Sequence, residues 1–205
     1  MNAKYRLGVL AGLLLGSNVA MADGKMYFSV SGGTFDHDQT NVMIRTSGDA
    51  SATTWLTSAS DETDLVSVTG GVADVSARFL IEYYHQSGDL TGIGADYTKQ
   101  GLFYSGYWTP NLYVPKLHGI LGAGIGAAQI DLESDNAQIG GDFEDREFQY
   151  KFTAGIEYRL IDLVTIFGTY EQHYSRKFTH SDAQRQIQVQ DADQSVIQIG
   201  IAARF

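Results

Sequence analysis

Strict alternation of apolar and polar residues is the dominant pattern of this chain, and such a period of two predicts β-strands rather than helices. The clearest example is residues 147–160, where aromatic and aliphatic residues occupy the even positions and charged, polar or small residues the odd ones. Because successive side chains of a strand point to opposite faces, this segment has one apolar and one polar face. The pattern recurs in eight predicted strands: residues 25–35, 65–73, 77–86, 96–108, 117–130, 147–160, 164–174 and 195–205.

The connections between these segments alternate between short and long. Short turns fall at residues 74–76, 109–116 and 161–163, and longer loops at 36–64, 87–95, 131–146 and 175–194. With both termini on the short-turn side, this layout is typical of an outer-membrane barrel, and strands of about 10–14 residues suit a tilted bilayer crossing. Hydrocarbon cannot satisfy an open sheet edge, so the sheet must close. The sequence therefore predicts an all-β fold, a closed antiparallel eight-stranded transmembrane up-and-down β-barrel over residues 23–205.

A soluble periplasmic β-domain is the alternative, since a hydrophobic fraction of 43% and a mean hydropathy of -0.15 suit either class. The aromatic residues distinguish the two, because barrels carry aromatic girdles at both lipid–water interfaces. Six aromatic residues lie on the predicted apolar faces near strand ends: Tyr83, Phe148, Tyr158, Tyr170, Tyr174 and Phe205. Ile197, Ile199 and Ile201 also alternate before Phe205, an arrangement that a soluble domain does not need. These features favour the membrane barrel.

The N-terminus predicts export. Lys4 and Arg6 precede the apolar run 7–15, and Ala20-Met21-Ala22 forms a small-x-small cleavage site. We expect residues 1–22 to be a secretory signal peptide, and the mature chain to carry a net charge of -12 because two basic residues are removed. The absence of cysteine excludes disulfide scaffolds, iron–sulfur clusters and thiol catalysis, and a pI near 4.7 argues against a nucleic-acid partner.

The signal peptide, the eight strands, the Gly-rich segment 119–126 and the C-terminal segment 197–205 together resemble the small eight-stranded outer-membrane β-barrel group. That group includes the OmpA membrane domain, OmpX and the opacity-type surface proteins. The resemblance implies a monomer in the cell outer membrane of a Gram-negative bacterium, in contact with outer-membrane lipids and lipopolysaccharide. It also implies that the barrel-assembly machinery reads a C-terminal signal consisting of Ile197, Ile199, Ile201 and Phe205, and that the long loops face the exterior.

The polar strand faces are expected to point into the barrel, whose interior is about wide enough for side chains to fill. The charged candidates for a polar core or gate are Arg78, Glu82, Lys151, Glu157, Arg159, Glu171, His173 and Arg204, and Tyr84 and Glu147 share these faces. Buried charges must pair, so an ionic plug is predicted. A narrow pore for small solutes or ions is the functional alternative. Gly122, Gly124 and Gly126 are expected to face inward and leave room for long neighbours, whereas both faces of segment 96–108 carry aromatics, so its facing stays open.

One strand face carries Glu171, His173 and Ser175, the residue types of nucleophilic hydrolysis. His173-Tyr174-Ser175 resembles the His-x-Ser element of the outer-membrane lipid A deacylase family. That family continues with Asn where this chain has Arg176, and its Asn-Pro-Gly stretch is absent. Same-face neighbours are also about 6.6 Å apart along a strand, which we expect to prevent a direct hydrogen bond. A lipid A hydrolase is therefore the lesser alternative, and the protein is predicted not to be an enzyme.

Of the 24 acidic residues, 18 lie in or beside the four long loops. Alternating acids at 131–135 are reminiscent of a calcium loop, but Asn136 stands where an EF-hand has glycine. We therefore expect no metal site. No cofactor is expected either. The first loop contains Val42-Met43-Ile44 and Trp55-Leu56, which form a contact site or pack over the barrel mouth. The predicted function is a surface protein with a structural or adhesion role, binding an extracellular ligand through long acidic loops.

Overall fold

The computed structural model describes residues 24–37, 40–46, 53–58, 63–90, 95–134, 143–175, 178–181, 185–190 and 194–205. The predicted signal peptide lies outside the described residues. Twelve strands are present in these ranges: β1 Lys25–His37, β2 Thr40–Thr46, β3 Thr53–Ser58, β4 Thr63–Ala73, β5 Ala77–Leu90, β6 Ala95–Trp108, β7 Leu117–Ser134, β8 Phe143–Arg159, β9 Val164–Ser175, β10 Phe178–Ser181, β11 Arg185–Gln190 and β12 Gln194–Arg204.

Eight of these strands form a closed antiparallel barrel in the order β1-β12-β9-β8-β7-β6-β5-β4. The barrel closes between β1 and β12, whose register runs from Tyr27 opposite Arg204 to His37 opposite Gln194. The predicted fold class is confirmed, and the predicted strands correspond to the barrel strands with small differences at their ends. No helix in the described ranges is long and apolar enough to cross a membrane.

Two segments predicted as loops contain further strands, and here the prediction was wrong. Within 36–64 and 175–194, strands β2, β3, β10 and β11 form a separate four-stranded sheet in the order β10-β11-β2-β3. The central pair joins β2 to β11 over six residue pairs, from Asn41 opposite Gln190 to Thr46 opposite Arg185. This pairing joins segments more than a hundred residues apart, so local periodicity in strands of four to seven residues could not reveal it. We call this element the loop sheet.

The barrel is apolar on its outer face and polar inside, as β8 shows. Phe148, Phe152 and Ile156 are 54–55% exposed on the outside, whereas Lys151 and Glu157 are 1% exposed on the inside. An arrangement with large apolar side chains outward and charges inward is stable in hydrocarbon and not in water. The turns at 74–76, 109–116 and 160–163 share one end of the barrel with the start of β1 and the end of β12, and we call it the short-turn end; the opposite end is the long-loop end.

Glycines on β7 allow the β6 side chains to enter the lumen. A Cβ atom at Gly126 would lie 2.7 Å from Phe103 Cδ1, and Cβ atoms at Gly122 and Gly124 would meet Tyr107 and Ser105. The inward prediction for these three glycines is confirmed. The same contacts decide the facing of β6, whose odd positions point inward.

Candidate functional site in the barrel interior

Three arginines surround one glutamate near the short-turn end, and we call Arg78, Glu157, Arg159 and Arg204 the arginine cluster. Arg78 donates from Nη2 to Glu157 Oε2, and Arg204 Nη2 donates to both carboxylate oxygens, at 2.8 and 3.2 Å. Arg159 is more distant, with Nε 3.9 Å from Glu157 Oε1. Since these residues lie on β5, β8 and β12, the cluster ties three strands together across the lumen.

The ring of Tyr27 stacks against this cluster. The Arg78 guanidinium lies 5.1 Å and the Arg204 guanidinium 5.8 Å from the ring centroid. Arg78, Arg204 and Glu157 are 2%, 7% and 1% exposed, whereas the Arg159 side chain is 27% exposed. Solvent at the short-turn end therefore reaches the arginine cluster along Arg159. Tyr27 contributes a cation–π contact to the two buried guanidiniums.

A second ionic group lies deeper in the lumen and is built around Lys151; we call Glu82, Lys151, Glu171 and His173 the lysine cluster. Lys151 Nζ donates to Glu82 Oε2 at 2.6 Å and to Glu171 Oε2 at 2.8 Å. All four residues are at most 4% exposed. Glu171 also accepts hydrogen bonds from Thr153 at 3.2 Å and Gln198 at 3.3 Å. Its carboxylate therefore accepts from three side chains of the interior.

The expectation that Glu171 and His173 would be too far apart for a hydrogen bond was wrong. His173 Nε2 lies 2.8 Å from Glu171 Oε2, because the long glutamate side chain leans along the strand. The imidazole packs edge-on against Phe103, with ring centroids 5.1 Å apart. Ser175 lies two residues further on at the end of β9. His173 thus bonds to a carboxylate that is already held by Lys151, inside the barrel and away from the outer surface.

A third ionic group, the pair Lys99–Glu147, closes the interior toward the long-loop end. Lys99 Nζ lies 2.6 Å from Glu147 Oε1, and both side chains are 1% exposed. Gln149 donates to the same Glu147 oxygen, and Tyr84 Oη donates to Gln149 Oε1 at 2.7 Å. Lys99 is absent from the predicted interior residues, because both faces of its strand carry aromatics. The signal that could have found it is the small or polar character of the odd positions Gly101 and Ser105 on the same face.

Apolar side chains fill the level between the lysine cluster and the Lys99 pair. They are Leu65, Tyr84, Phe103, Ala128 and Val196, each at most 4% exposed. A cavity of about 40 Å³ lies between the arginine cluster and the lysine cluster, and hydroxyl groups from β1, β4, β8 and β9 line it. Such a volume holds a few water molecules and no larger solute.

Seven of the eight predicted interior residues are buried in these two clusters, and Arg159 is the partly exposed exception. The predicted C-terminal signal lies on the outer surface, where Ile197, Ile199, Ile201 and Phe205 are 53–73% exposed. Their recognition by an assembly machinery stays a prediction. Of the acids considered as a calcium loop, Asp131 and Glu133 lie within strand β7, and Asp135 lies outside the described residues.

No family model matches the sequence, and no curated protein matches it. Solved structures do match. Neisserial surface protein A is 11% identical with a TM-score of 0.59, and the match covers 88% of this chain and 97% of that chain. A major outer membrane protein from Thermus thermophilus is 11% identical with a TM-score of 0.49, covering 88% and 99% of the two chains. The N-terminal β-barrel domain of Pseudomonas aeruginosa OprF is 11% identical with a TM-score of 0.45, covering 89% and 100%.

At these identities the likeness concerns the fold. The match to Neisserial surface protein A spans nearly the whole of both chains, and the barrel described above has the same closed, antiparallel construction. Together with the apolar outer face and the charged interior, it shows that this chain has the fold of the small eight-stranded outer-membrane β-barrels.

Proposed function

We propose that this protein is a surface-exposed barrel of the outer membrane that binds an extracellular partner through its loop sheet, with the lumen acting as a structural plug. The observation that carries the proposal is the loop sheet itself. A barrel needs only flexible connections at its long-loop end, yet here the first and last long connections pair to form a second sheet. Ordering some two dozen residues in this way opposes chain entropy, which supports a role for the ordered surface.

The register of the loop sheet supports a binding surface. One row across the four strands contains Leu56, Val42, Val189 and Phe178, and the neighbouring row contains Trp55, Met43, Gln188 and Thr179. The pairing therefore brings apolar residue types together in one row, beside a row of mixed types. Around its base the described ends of the other strands carry exposed acids, among them Asp64, Asp96 and Glu133. A partner that carries basic groups beside apolar ones would complement this composition.

The filled lumen supports this role over the pore. Two ionic clusters, an apolar level and the Lys99 pair occupy successive levels, and the cavity of about 40 Å³ between the two clusters is smaller than a hydrated ion needs for passage. Opening a continuous path would require breaking ion pairs whose members are at most 7% exposed, apart from Arg159. The same burial separates His173 from lipid substrate, which supports a non-enzymatic role.

To test this proposal, the protein is displayed on a laboratory Gram-negative strain. The adhesion of these bacteria to surfaces coated with fibronectin, laminin or histone is then measured. Met43→Pro removes a backbone donor from the central strand β2, and we expect it to reduce adhesion at least fivefold. The matched control is Thr53→Pro at the first position of the edge strand β3, where proline is tolerated. Equal adhesion by wild type and Met43→Pro, or no wild-type adhesion to any of the three coatings, would contradict the loop-sheet proposal. Discrete openings of the purified protein in planar bilayers would favour the pore instead.

A further inference from the structure

The arginine cluster carries more positive charge than its protein partners neutralise. Three guanidiniums share the single carboxylate of Glu157, which leaves an excess of two positive charges. None of the other carboxylates among the described residues forms an ion pair with these arginines; Asp74 and Asp162, in the turns at the same end, are examples. Concentrated charge of one sign at a site that is mostly removed from water requires a counter-charge.

Several donors of the cluster are also without an acceptor. Arg78 Nε, Arg204 Nε, and both Nε and Nη2 of Arg159 are buried and make no hydrogen bond. Arg78 and Arg204 are themselves 2% and 7% exposed, so bulk solvent reaches few of these donors. Glu157 does not supply them, because its carboxylate oxygens accept from the Nη2 atoms of Arg78 and Arg204. The unused donors therefore call for an acceptor from outside the chain.

The cluster can be reached from one side. Arg159 is the outermost member, 27% exposed at the short-turn end, whereas Tyr27 stacks beneath the two inner guanidiniums. An ion arriving at this end would meet Arg159 first and then the positive field of the other two. The planar fork of arginine favours oxyanions that accept two hydrogen bonds at once, and phosphate is the common example.

We propose that the arginine cluster is a binding site for a phosphate-type oxyanion at the short-turn end of the barrel, with Arg159 as its entry residue and Arg78 and Arg204 supplying the remaining charge. Free phosphate and the phosphate of a phospholipid headgroup offer the same chemistry to these three residues. The site is independent of the loop sheet, which lies at the opposite end of the barrel.

The experiment measures binding of inorganic phosphate to the full mature chain in dodecyl maltoside, a detergent without charge, by calorimetric titration against chloride at equal ionic strength. We expect saturable binding to wild type and at least tenfold weaker binding to Arg159→Gln. Lys25→Gln, which removes one exposed positive charge at the same end, is the matched control and should stay within twofold of wild type. Absence of saturable binding to wild type, or equal losses in the two variants, would overturn the proposal.

A second variant tests the charge argument. Glu157→Gln removes the internal competitor for the guanidiniums, so phosphate should bind more tightly than to wild type, by about fivefold or more, wherever gel migration shows a folded barrel. Weaker binding to folded Glu157→Gln would contradict the excess-charge explanation. If that variant does not fold, the comparison of Arg159→Gln with Lys25→Gln remains decisive.

Repeating the wild-type titration in nanodiscs distinguishes the two sources of phosphate. In nanodiscs of neutral phosphatidylcholine, free phosphate should bind as in detergent. If a headgroup occupies the site, nanodiscs containing phosphatidylglycerol should weaken the apparent affinity of wild type for free phosphate at least fivefold. The loss of affinity should be smaller for Arg159→Gln. Equal affinity in both nanodiscs assigns the site to free phosphate.

Discussion

Substitution of Lys151 by methionine is the sharpest test of the interior as a structural plug. The lysine ammonium neutralises Glu82 and Glu171 at 2.6 and 2.8 Å and is fully buried. Lys151→Met keeps most of the side-chain volume but leaves two carboxylates facing each other without a cation. Removal of one partner from a buried ion pair costs about 3–5 kcal/mol, because an uncompensated charge remains in a medium of low polarity. We expect a loss of that size in the free energy of unfolding.

The contacts of the two carboxylates predict a rank order for three variants. Glu171 accepts from Lys151, Thr153 and Gln198 and bonds to His173, so Glu171→Gln should cost about 2–3 kcal/mol through weakened charge-assisted bonds. Glu82 accepts from Lys151 with one oxygen, and its other oxygen is buried without a hydrogen bond. Glu82→Gln should therefore cost under about 1 kcal/mol, since it also removes a poorly solvated charge.

The assay is urea unfolding of residues 23–205 in phospholipid vesicles, followed by tryptophan fluorescence and by the heat-dependent shift in gel migration. The triple variant Glu82→Gln, Lys151→Met, Glu171→Gln is the control, because it removes all three charges together and should recover more than half of the Lys151→Met loss. A Lys151→Met loss under about 1 kcal/mol would refute the reasoning, as would a larger loss for Glu82→Gln than for Glu171→Gln.

Three further predictions concern packing, one hydrogen bond and assembly. Gly126→Val should lower the free energy of unfolding by about 1–3 kcal/mol, because its Cβ would meet the Leu102 carbonyl oxygen and lie 2.7 Å from Phe103 Cδ1. Ala123→Val on the outer face of the same strand should change it by less than about 0.5 kcal/mol, and equal effects would contradict the inward facing of Gly126. Tyr84→Phe should cost about 0.5–1.5 kcal/mol in urea unfolding, since Gln149 loses its 2.7 Å hydrogen bond, and no loss would show that this bond does not stabilise the long-loop end. Phe205→Ala should reduce the amount of folded barrel in cells several-fold. Because the side chain is 67% exposed, the free energy of unfolding in detergent should stay within about 1 kcal/mol of wild type. Equal losses in both measurements would assign Phe205 to stability rather than to assembly.

The barrel strands and the facing of most of them follow directly from the sequence. The period of two over residues 147–160 is long enough that no other secondary structure satisfies it, and β8 has the expected apolar and polar faces. The eight candidate interior residues lie on faces identified in the same way. The facing of segment 96–108 could not be predicted in this way, because Phe103 and Tyr107 face inward while Tyr104 and Trp108 face outward. Hydrophobicity alone cannot separate the faces of a strand whose lumen side packs aromatics against the glycines of a neighbour.

The sequence by itself determined the class of the protein, because alternating hydrophobicity and the spacing of turns are local properties that each strand carries alone. The tertiary structure decided what depends on contacts across the lumen or between distant loops. It paired Lys151 with two carboxylates from β5 and β9, joined Lys99 to Glu147, and gathered Arg78, Arg159 and Arg204 around Glu157. It also paired β2 with β11 into the loop sheet. Apart from Arg159 and Glu157, which are neighbours on β8, these partners lie 20 to more than a hundred residues apart, and only barrel closure with its particular stagger brings them to the same level.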